Sequence, residues 1–327
     1  MTLTALELCA GAGGQALGLH RAGFRPLALV DNDAAACRTL KRNFRRTKVI
    51  EADIRKLDVS RFKGVDLITA GLPCPPFSVA GKQLGADDDR NLFPAALRII
   101  GQLRPKAVMI ENVAGLLGKK FDGFRRDFTR DLGKLGYDVG FYPVNAADFG
   151  VPQNRQRVVI VALRRDLARR FKPPVPTHDA APTVGETLID LMRADGWRDA
   201  ARWAHRADAI APTIVGDSKK HGGADLGPSG ARKAWAALGV DGRSLADTPP
   251  GEGFVGMPRL TLPMVQRLQG FPDTWVIEGR KTERYRQIGN AFPPAVAQAF
   301  AAQIKRAIKR PKLRDAGQPR AMMAAEA

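Results

Sequence analysis

A cysteine set between prolines and a glutamate at the end of an apolar run are the residues of this chain best suited to covalent and proton-transfer chemistry. Cys74 lies in Gly71-Leu72-Pro73-Cys74-Pro75-Pro76-Phe77-Ser78, and Glu111 opens Glu111-Asn112-Val113. A free cysteine is most often a small buried hydrophobe. Prolines on both sides instead fix an extended, rigid loop, and a thiol held on such a loop is placed to attack. Standing alone, Glu111 reads equally as a solvated helix cap. Following the apolar residues Ala107 to Ile110, it is expected in a pocket where its proton can be shared with a ligand.

The elements that must position these two residues are legible on either side. Val65 to Ala70 and Ala107 to Ile110 read as buried strands of a parallel sheet, so Cys74 and Glu111 fall just past the carboxyl ends of two strands. That edge is where open α/β sheets bind ligands. Further strand candidates, Leu3 to Leu8, Pro26 to Val30, Lys48 to Ile50, Tyr137 to Val144 and Arg157 to Leu163, alternate with helical stretches over residues 1–165. This is the pattern of a doubly wound α/β sheet. The loop between the last two has no room for a crossover helix, which permits an antiparallel pair at the sheet edge. Residues 166–258 turn to Pro, Gly, Arg and Ala with short apolar runs, the signature of a smaller, loop-rich domain. Helical periodicity returns at Thr261 to Leu268 and Pro294 to Ile308, within a segment 259–310 expected to complete the first domain. Residues 311–327 have the composition of a disordered tail.

Charge narrows the partner. The chain has 52 basic and 33 acidic residues, net +19, and a pI near 10.4, which favours a polyanion. No apolar run reaches membrane-spanning length and the N-terminus lacks a signal-peptide layout, so nucleic acid is preferred to a membrane. Cys9, Cys37 and Cys74 match neither a zinc site nor a disulfide framework, which points to a reducing cytoplasm and no metal.

Two more strings carry binding chemistry. The first strand ends in Leu8-Cys9-Ala10-Gly11-Ala12-Gly13-Gly14 and a helical pattern follows at once, with Asp31 at the end of the next strand. A glycine-rich turn lets backbone approach a ligand, and an acid at that distance can accept hydrogen bonds from ribose hydroxyls. The full dinucleotide spacing is missing, so an adenosine cofactor without a pyrophosphate fits equally well. In Gln153-Asn154-Arg155-Gln156-Arg157, the two arginines point the same way on an extended chain and can together hold a phosphate or a base oxygen. Gln287-Ile288-Gly289-Asn290-Ala291-Phe292-Pro293-Pro294 reads as a polar turn capping the last helix.

With these elements in this order, joined by Arg259-Leu260-Thr261 and Gln269-Gly270-Phe271-Pro272, the chain resembles the cytosine-5 DNA methyltransferase family of bacterial restriction-modification systems. The resemblance covers about two thirds of the chain, everything except residues 164–258 and the tail. It implies a Rossmann-like domain that uses S-adenosyl-L-methionine and methylates a cytosine flipped out of double-stranded DNA, acting as a monomer beside a separate restriction endonuclease. Cys74 would be the nucleophile, Glu111 would share a proton with ring nitrogen 3, and Arg157 would bind the ring's carbonyl oxygen. Arg155 and Ser78 would lie near the phosphate and sugar of the flipped nucleotide. By the same resemblance, Cys9, Ala10, Gly11, Gly13, Gly14, Asp31, Asn32, Asp53, Ile54, Pro73, Leu92, Asn290 and Ala291 line the cofactor site. Asp31 would take the ribose and Asp53 the adenine amino group. The family usually has an aromatic residue at the position of Cys9 and often glutamine at that of Pro75.

The small domain corresponds in place to the family's target-recognition region. Its stretch from Pro212 to Gly223 is polar, glycine-rich and basic, so Thr213, Ser218, Lys219, Lys220 and His221 are the candidates for reading bases. A relative acting on RNA and a catalytically silent DNA-binding protein on the same scaffold are the alternatives.

Overall fold

The computed structural model describes residues 2–73, 91–216 and 223–309. In chain order its elements are β1 (Thr4–Leu8), α1 (Gly14–Arg21), β2 (Arg25–Asp31), α2 (Ala34–Asn43), β3 (Lys48–Glu51), β4 (Leu67–Gly71), α3 (Phe93–Leu103), β5 (Ala107–Val113), α4 (Asp122–Lys134), β6 (Tyr137–Asn145) and β7 (Gln156–Arg164). There follow α5 (Arg165–Ala168), α6 (Val184–Arg193), α7 (Ala200–Arg206), α8 (Ser229–Ala237), α9 (Leu262–Leu268), α10 (Lys281–Asn290) and α11 (Pro294–Lys309). The seven strands form one sheet in the order β3-β2-β1-β4-β5-β7-β6. The first five are parallel neighbours, whereas β7 runs antiparallel to both β5 and β6.

Alternation along the strands builds a core on each face. Leu6, Leu8, Ile68, Val108 and Ile110 point to the face covered by Phe93 and Ile99 of α3 and by Phe128 and Leu132 of α4. Ala5, Leu67, Met109, Val159 and Val161 point to the other, covered by Val296, Phe300 and Ile304 of α11. There α1 and α11 meet through a small residue. A β-carbon at Gly18 would lie 2.5 Å from the Pro294 carbonyl oxygen and 2.6 Å from the Ala297 β-carbon.

The antiparallel pair expected of the last two strands does lie at one edge of the sheet, with β7 against β5 and β6 outermost. Two details depart from the sequence expectations. Strand β5 continues to Val113 because β7 supplies it with ladder partners as far as Val113↔Arg157, so Glu111 sits inside the strand, not past it. The second is the helix α10, whose sequence is almost wholly polar. It buries only Tyr285, Gln287, Ile288 and Gly289, so Gln287 to Asn290 form its last turn and the bend into α11 begins at Ala291.

Residues 166–258 are more helical than their composition suggests. Thr183 and Glu186 form a reciprocal capping box at the start of α6, and Trp197, Trp203 and Trp235 pack into a second core. Truncating a buried tryptophan costs about 3–5 kcal/mol, so this region is organised around aromatic volume. The same core runs on past Pro258 through Leu260, Val265, Phe271, Trp275, Tyr285 and Ile288. Apolar packing thus ties α9 and α10 to the smaller region and leaves α11 as the element that returns to the sheet. Among the described residues, no helix is long and apolar enough to cross a membrane, and no group of three or more His, Cys, Asp or Glu is placed to hold a metal.

Candidate active site at the carboxyl edge of the sheet

Strand direction brings the two charged residues of the site together. Since β7 runs against β5, its first residues lie at the carboxyl edge, and Arg157 Nε comes to 3.0 Å from Glu111 Oε1. Glu111 is 4% exposed. Burial holds its carboxyl above the usual carboxylate range, against the opposing pull of the Arg157 and Arg155 charges. The carboxyl is therefore more readily protonated than a solvent-exposed glutamate. Beside it, Asn112 Nδ2 donates to the Leu72 carbonyl at 3.3 Å, tying the exit of β4 to β5 immediately before Pro73. Cys74 and Ser78 lie outside the described residues.

The glycine-rich turn after β1 is sorted by its surroundings. Cys9, Gly11 and Gly13 all take left-handed backbone with φ of 53°, 53° and 79°. A β-carbon on Gly11 would meet nothing within 4 Å, whereas one on Gly14 would lie 2.3 Å from the Phe292 carbonyl oxygen. Gly14 is thus required by the chain entering α11, and Gly11 faces open space. Asp31 stands beneath the turn. Its Oδ2 accepts from Gly11 N at 2.7 Å and its Oδ1 from Asp33 N at 2.8 Å. Burial raises its pKa despite the backbone donors of Asp33, Gly11 and Asn32.

The other cofactor candidates differ in placement. Ala10 is buried and Asn32 exposed at the same edge. Ile54 belongs to the main core, with Cys9 and Leu92 packed against it. Burial pushes the Cys9 thiol up, out of the range of a reactive thiolate. Asp53 turns both oxygens to its neighbour, Arg55 Nε, at 3.0 and 2.9 Å. It faces that guanidinium first and could reach an adenine amino group only with its remaining lone pairs. Asn290 ends α10 exposed and Ala291 caps it buried, one residue before the Phe292 carbonyl that Gly14 approaches, and Pro73 leaves β4 partly buried.

Arg155 corrects the paired-arginine expectation. It precedes β7, is 1% exposed and points inward. Its Nη1 donates to the Ile214 carbonyl at 2.8 Å, and its Nη2 to those of Gly289 and Ala291 at 2.7 and 3.1 Å. Gln153 and Gln269 extend this hub. Gln153 Nε2 donates to Gln269 Oε1 and to the Leu268 carbonyl at 2.9 and 3.2 Å, and Ile214 N donates to Gln153 Oε1 at 3.0 Å. The contact is close enough that a β-carbon on Gly289 would fall 2.4 Å from Gly216 N. A buried guanidinium spent on backbone carbonyls cannot also hold a phosphate, so Arg155 is a strut between the two regions.

The C-5 cytosine-specific DNA methylase family model matches residues 3–306. The chain belongs to this family. It is 52% identical over 313 residues to the type II methyltransferase M.NaeI of Lentzea aerocolonigenes, covering 94% of this chain and 76% of that protein. It is 47% identical over 317 residues to M.NgoMIV of Neisseria gonorrhoeae, covering 95% and 99%. Solved structures show the same fold. The Entamoeba histolytica methyltransferase EhMeth superposes with a TM-score of 0.65 at 13% identity, covering 95% of this chain and 100% of that one. A Spodoptera frugiperda DNMT2 mutant gives 0.62 at 20%, covering 94% and 100%. This DNA cytosine-5 methyltransferase therefore has a Rossmann-like core completed by helices.

Among the DNA-reading candidates, the Thr213 hydroxyl donates to the Asn154 carbonyl at 2.6 Å, which anchors the start of the stretch to the hub. Ser218, Lys219, Lys220 and His221 lie outside the described residues, as does the tail. Sequence reasoning missed Trp275, whose indole Nε1 donates to the Ala12 carbonyl at 3.0 Å and roofs the glycine-rich turn. It also missed Glu7 and Gln15 below that turn, both buried, with Glu7 Oε2 and both Gln15 amide atoms lacking a partner among the described residues. Glu7 stood in the strand read as apolar, and alternation alone could have marked it as an inward-facing acid.

Proposed function

We propose that this DNA cytosine-5 methyltransferase takes its methyl group from S-adenosyl-L-methionine and modifies a cytosine flipped out of a specific duplex sequence, as the modification enzyme of a restriction system. The carrying observation is the buried Glu111 carboxyl paired with Arg157, at the edge where Pro73 follows β4.

The pocket around the turn fits the donor. Gly11 leaves open space, and Asp31 at the carboxyl end of β2 turns its carboxylate to that turn, where it can meet ribose hydroxyls. When bound there, S-adenosylmethionine supplies an electrophilic methyl group. Cytosine carbon 5 is too weak a nucleophile to take that group directly. The Cys74 thiolate therefore adds to carbon 6, forming the S–C6 bond and moving the double-bond electrons toward ring nitrogen 3, where the Glu111 proton is shared. Arg157, fixed by Glu111, donates to the ring's carbonyl oxygen and stabilises the charge that gathers there. Carbon 5 would then take the methyl group from the sulfonium, whose sulfur–methyl bond would break and leave a neutral thioether. Loss of the carbon 5 proton to a base returns the electrons, breaks the S–C6 bond and frees Cys74. The target atoms are stacked inside a duplex, so the base must first be flipped out.

Duplex carrying 5-fluorocytosine at the target blocks that last proton loss. With cofactor present a covalent protein–DNA complex is expected. Its absence, or near-normal methylation by Cys74→Ser, would overturn the mechanism. Residues 166–258 are assigned target choice, because the groups given to methyl transfer lie outside them. Grafting them into a related methyltransferase should transfer its methylated sequence, and a recipient that keeps its own would refute that assignment.

A further inference from the structure

We infer that the segment following Glu111 carries a second, sequence-independent DNA contact, in which Lys119, Lys120 and Arg126 hold backbone phosphates of the duplex. The inference rests on the DNA methyltransferase reading.

Chain direction places these residues. Strand β5 delivers Glu111 to the carboxyl edge, and the chain then makes two 3-10 turns, Ala114–Leu117 and Lys119–Phe121, before α4 leads away from that edge. The first of these turns packs against β7, the strand that carries Arg157. Lys119, Lys120 and the first turns of α4 therefore lie on the side of the molecule where the target base must enter.

The segment is braced. Arg125 Nη1 donates to the Leu116 and Gly118 carbonyls at 2.5 and 3.1 Å, and its other nitrogen pairs with Asp122. Leu116 and Phe121 are buried anchors, and α4 turns Phe124 and Phe128 inward onto Phe93 in edge-to-face contacts. Residues 122, 125, 126, 129 and 130 consequently share the outer face and line a shallow groove.

Charge accounting on that face is one-sided. Asp122 is matched by Arg125, Asp127 by Arg130, and Asp131 by Arg130 and Lys134. Lys119, Lys120 and Arg126 are exposed and have no acid partner among the described residues. Three uncompensated cations on a rigid mount complement a row of phosphates. They do not suit base reading, which requires side chains carried into a groove.

The test measures binding of target and non-target duplex against salt for the wild type and for Lys119→Ala/Lys120→Ala/Arg126→Ala. Each phosphate contact contributes about 0.9 to the slope of log K against log salt. The triple variant should therefore lower that slope by about two to three on both duplexes, leaving methyl transfer at saturating target DNA within about twofold. Arg42→Ala/Arg45→Ala/Arg46→Ala removes three exposed basic residues in the last turn of α2 and just after it, at the opposite edge of the sheet, and should leave the slope unchanged. An unchanged slope in the first variant, or an equal fall in the second, overturns the inference. A wild type that binds duplex with this salt dependence but never methylates it would instead overturn the functional reading and leave the contact standing.

Discussion

Two buried clusters lie at either end of one short segment, and each contains an arginine. At the carboxyl edge, Arg157 meets a single carboxyl whose pKa burial has raised. In the hub two residues earlier, Arg155 meets three backbone carbonyls, with Gln153 and Gln269 closing the network. A buried carboxyl whose proton affinity is raised has chemistry left to perform. A guanidinium whose donors end on main-chain carbonyls of two distant segments has a structural task. The same residue type two positions apart thus divides into function and architecture according to what the fold places opposite it.

Substitution at the two clusters should separate these roles. Glu111→Gln preserves shape but cannot share a proton as the acid does, and single-turnover methyl transfer on bound duplex should slow about 10²–10⁴-fold with little change in stability. Equal losses in DNA binding and rate would reduce Glu111 to an anchor and erase the contrast. Arg155→Met should do the reverse, lowering unfolding free energy in urea by about 3–5 kcal/mol because several carbonyls lose their charged donor together. The rate per folded molecule should stay within about tenfold. A variant of full stability with collapsed activity would move Arg155 into the chemistry.

The cofactor turn offers a graded test. Asp31→Ala removes the acceptors offered to a ribose, and calorimetry on the free enzyme should find S-adenosylmethionine bound at least tenfold more weakly, about 1.5–3 kcal/mol. An unchanged dissociation constant would remove Asp31 from that site. Below the turn, Glu7 is 1% exposed and burial holds its carboxyl well above the ordinary range. The unfolded chain therefore releases this proton first as pH rises, and the folded state loses stability from about pH 4 upward, until its own higher value is passed. Glu7→Gln cannot ionise, so its melting temperature should gain on the wild type as pH is raised from 4 to 8. A difference independent of pH would mean that Glu7 is already ionised in the fold.

What could be read from the chain by itself was whatever is written locally. Apolar runs marked the strands, glycines marked the turn after β1, and the ordered strings around Cys74, Glu111 and Arg157 carried the family before any coordinates. Those features are short-range, because a strand end, a tight turn and a proline-fixed loop are set by residues within a few positions of one another. The tertiary structure decided what depends on residues far apart. Insertion of β7 beside β5 extended that strand through Glu111 and set Arg157 against it, and no spacing in the chain encodes which strand a later one will join. The helix α10 was hidden because its burial comes from a core supplied by residues 184–277, with little apolar pattern of its own. Arg155 and Arg157 looked equivalent at period two, and only the arrival of Ile214, Gly289 and Ala291 from distant segments made one of them a strut. A side chain's chemical type is local, but its desolvation and its hydrogen-bond partners belong to the packed whole, and those determine which charge remains available for catalysis.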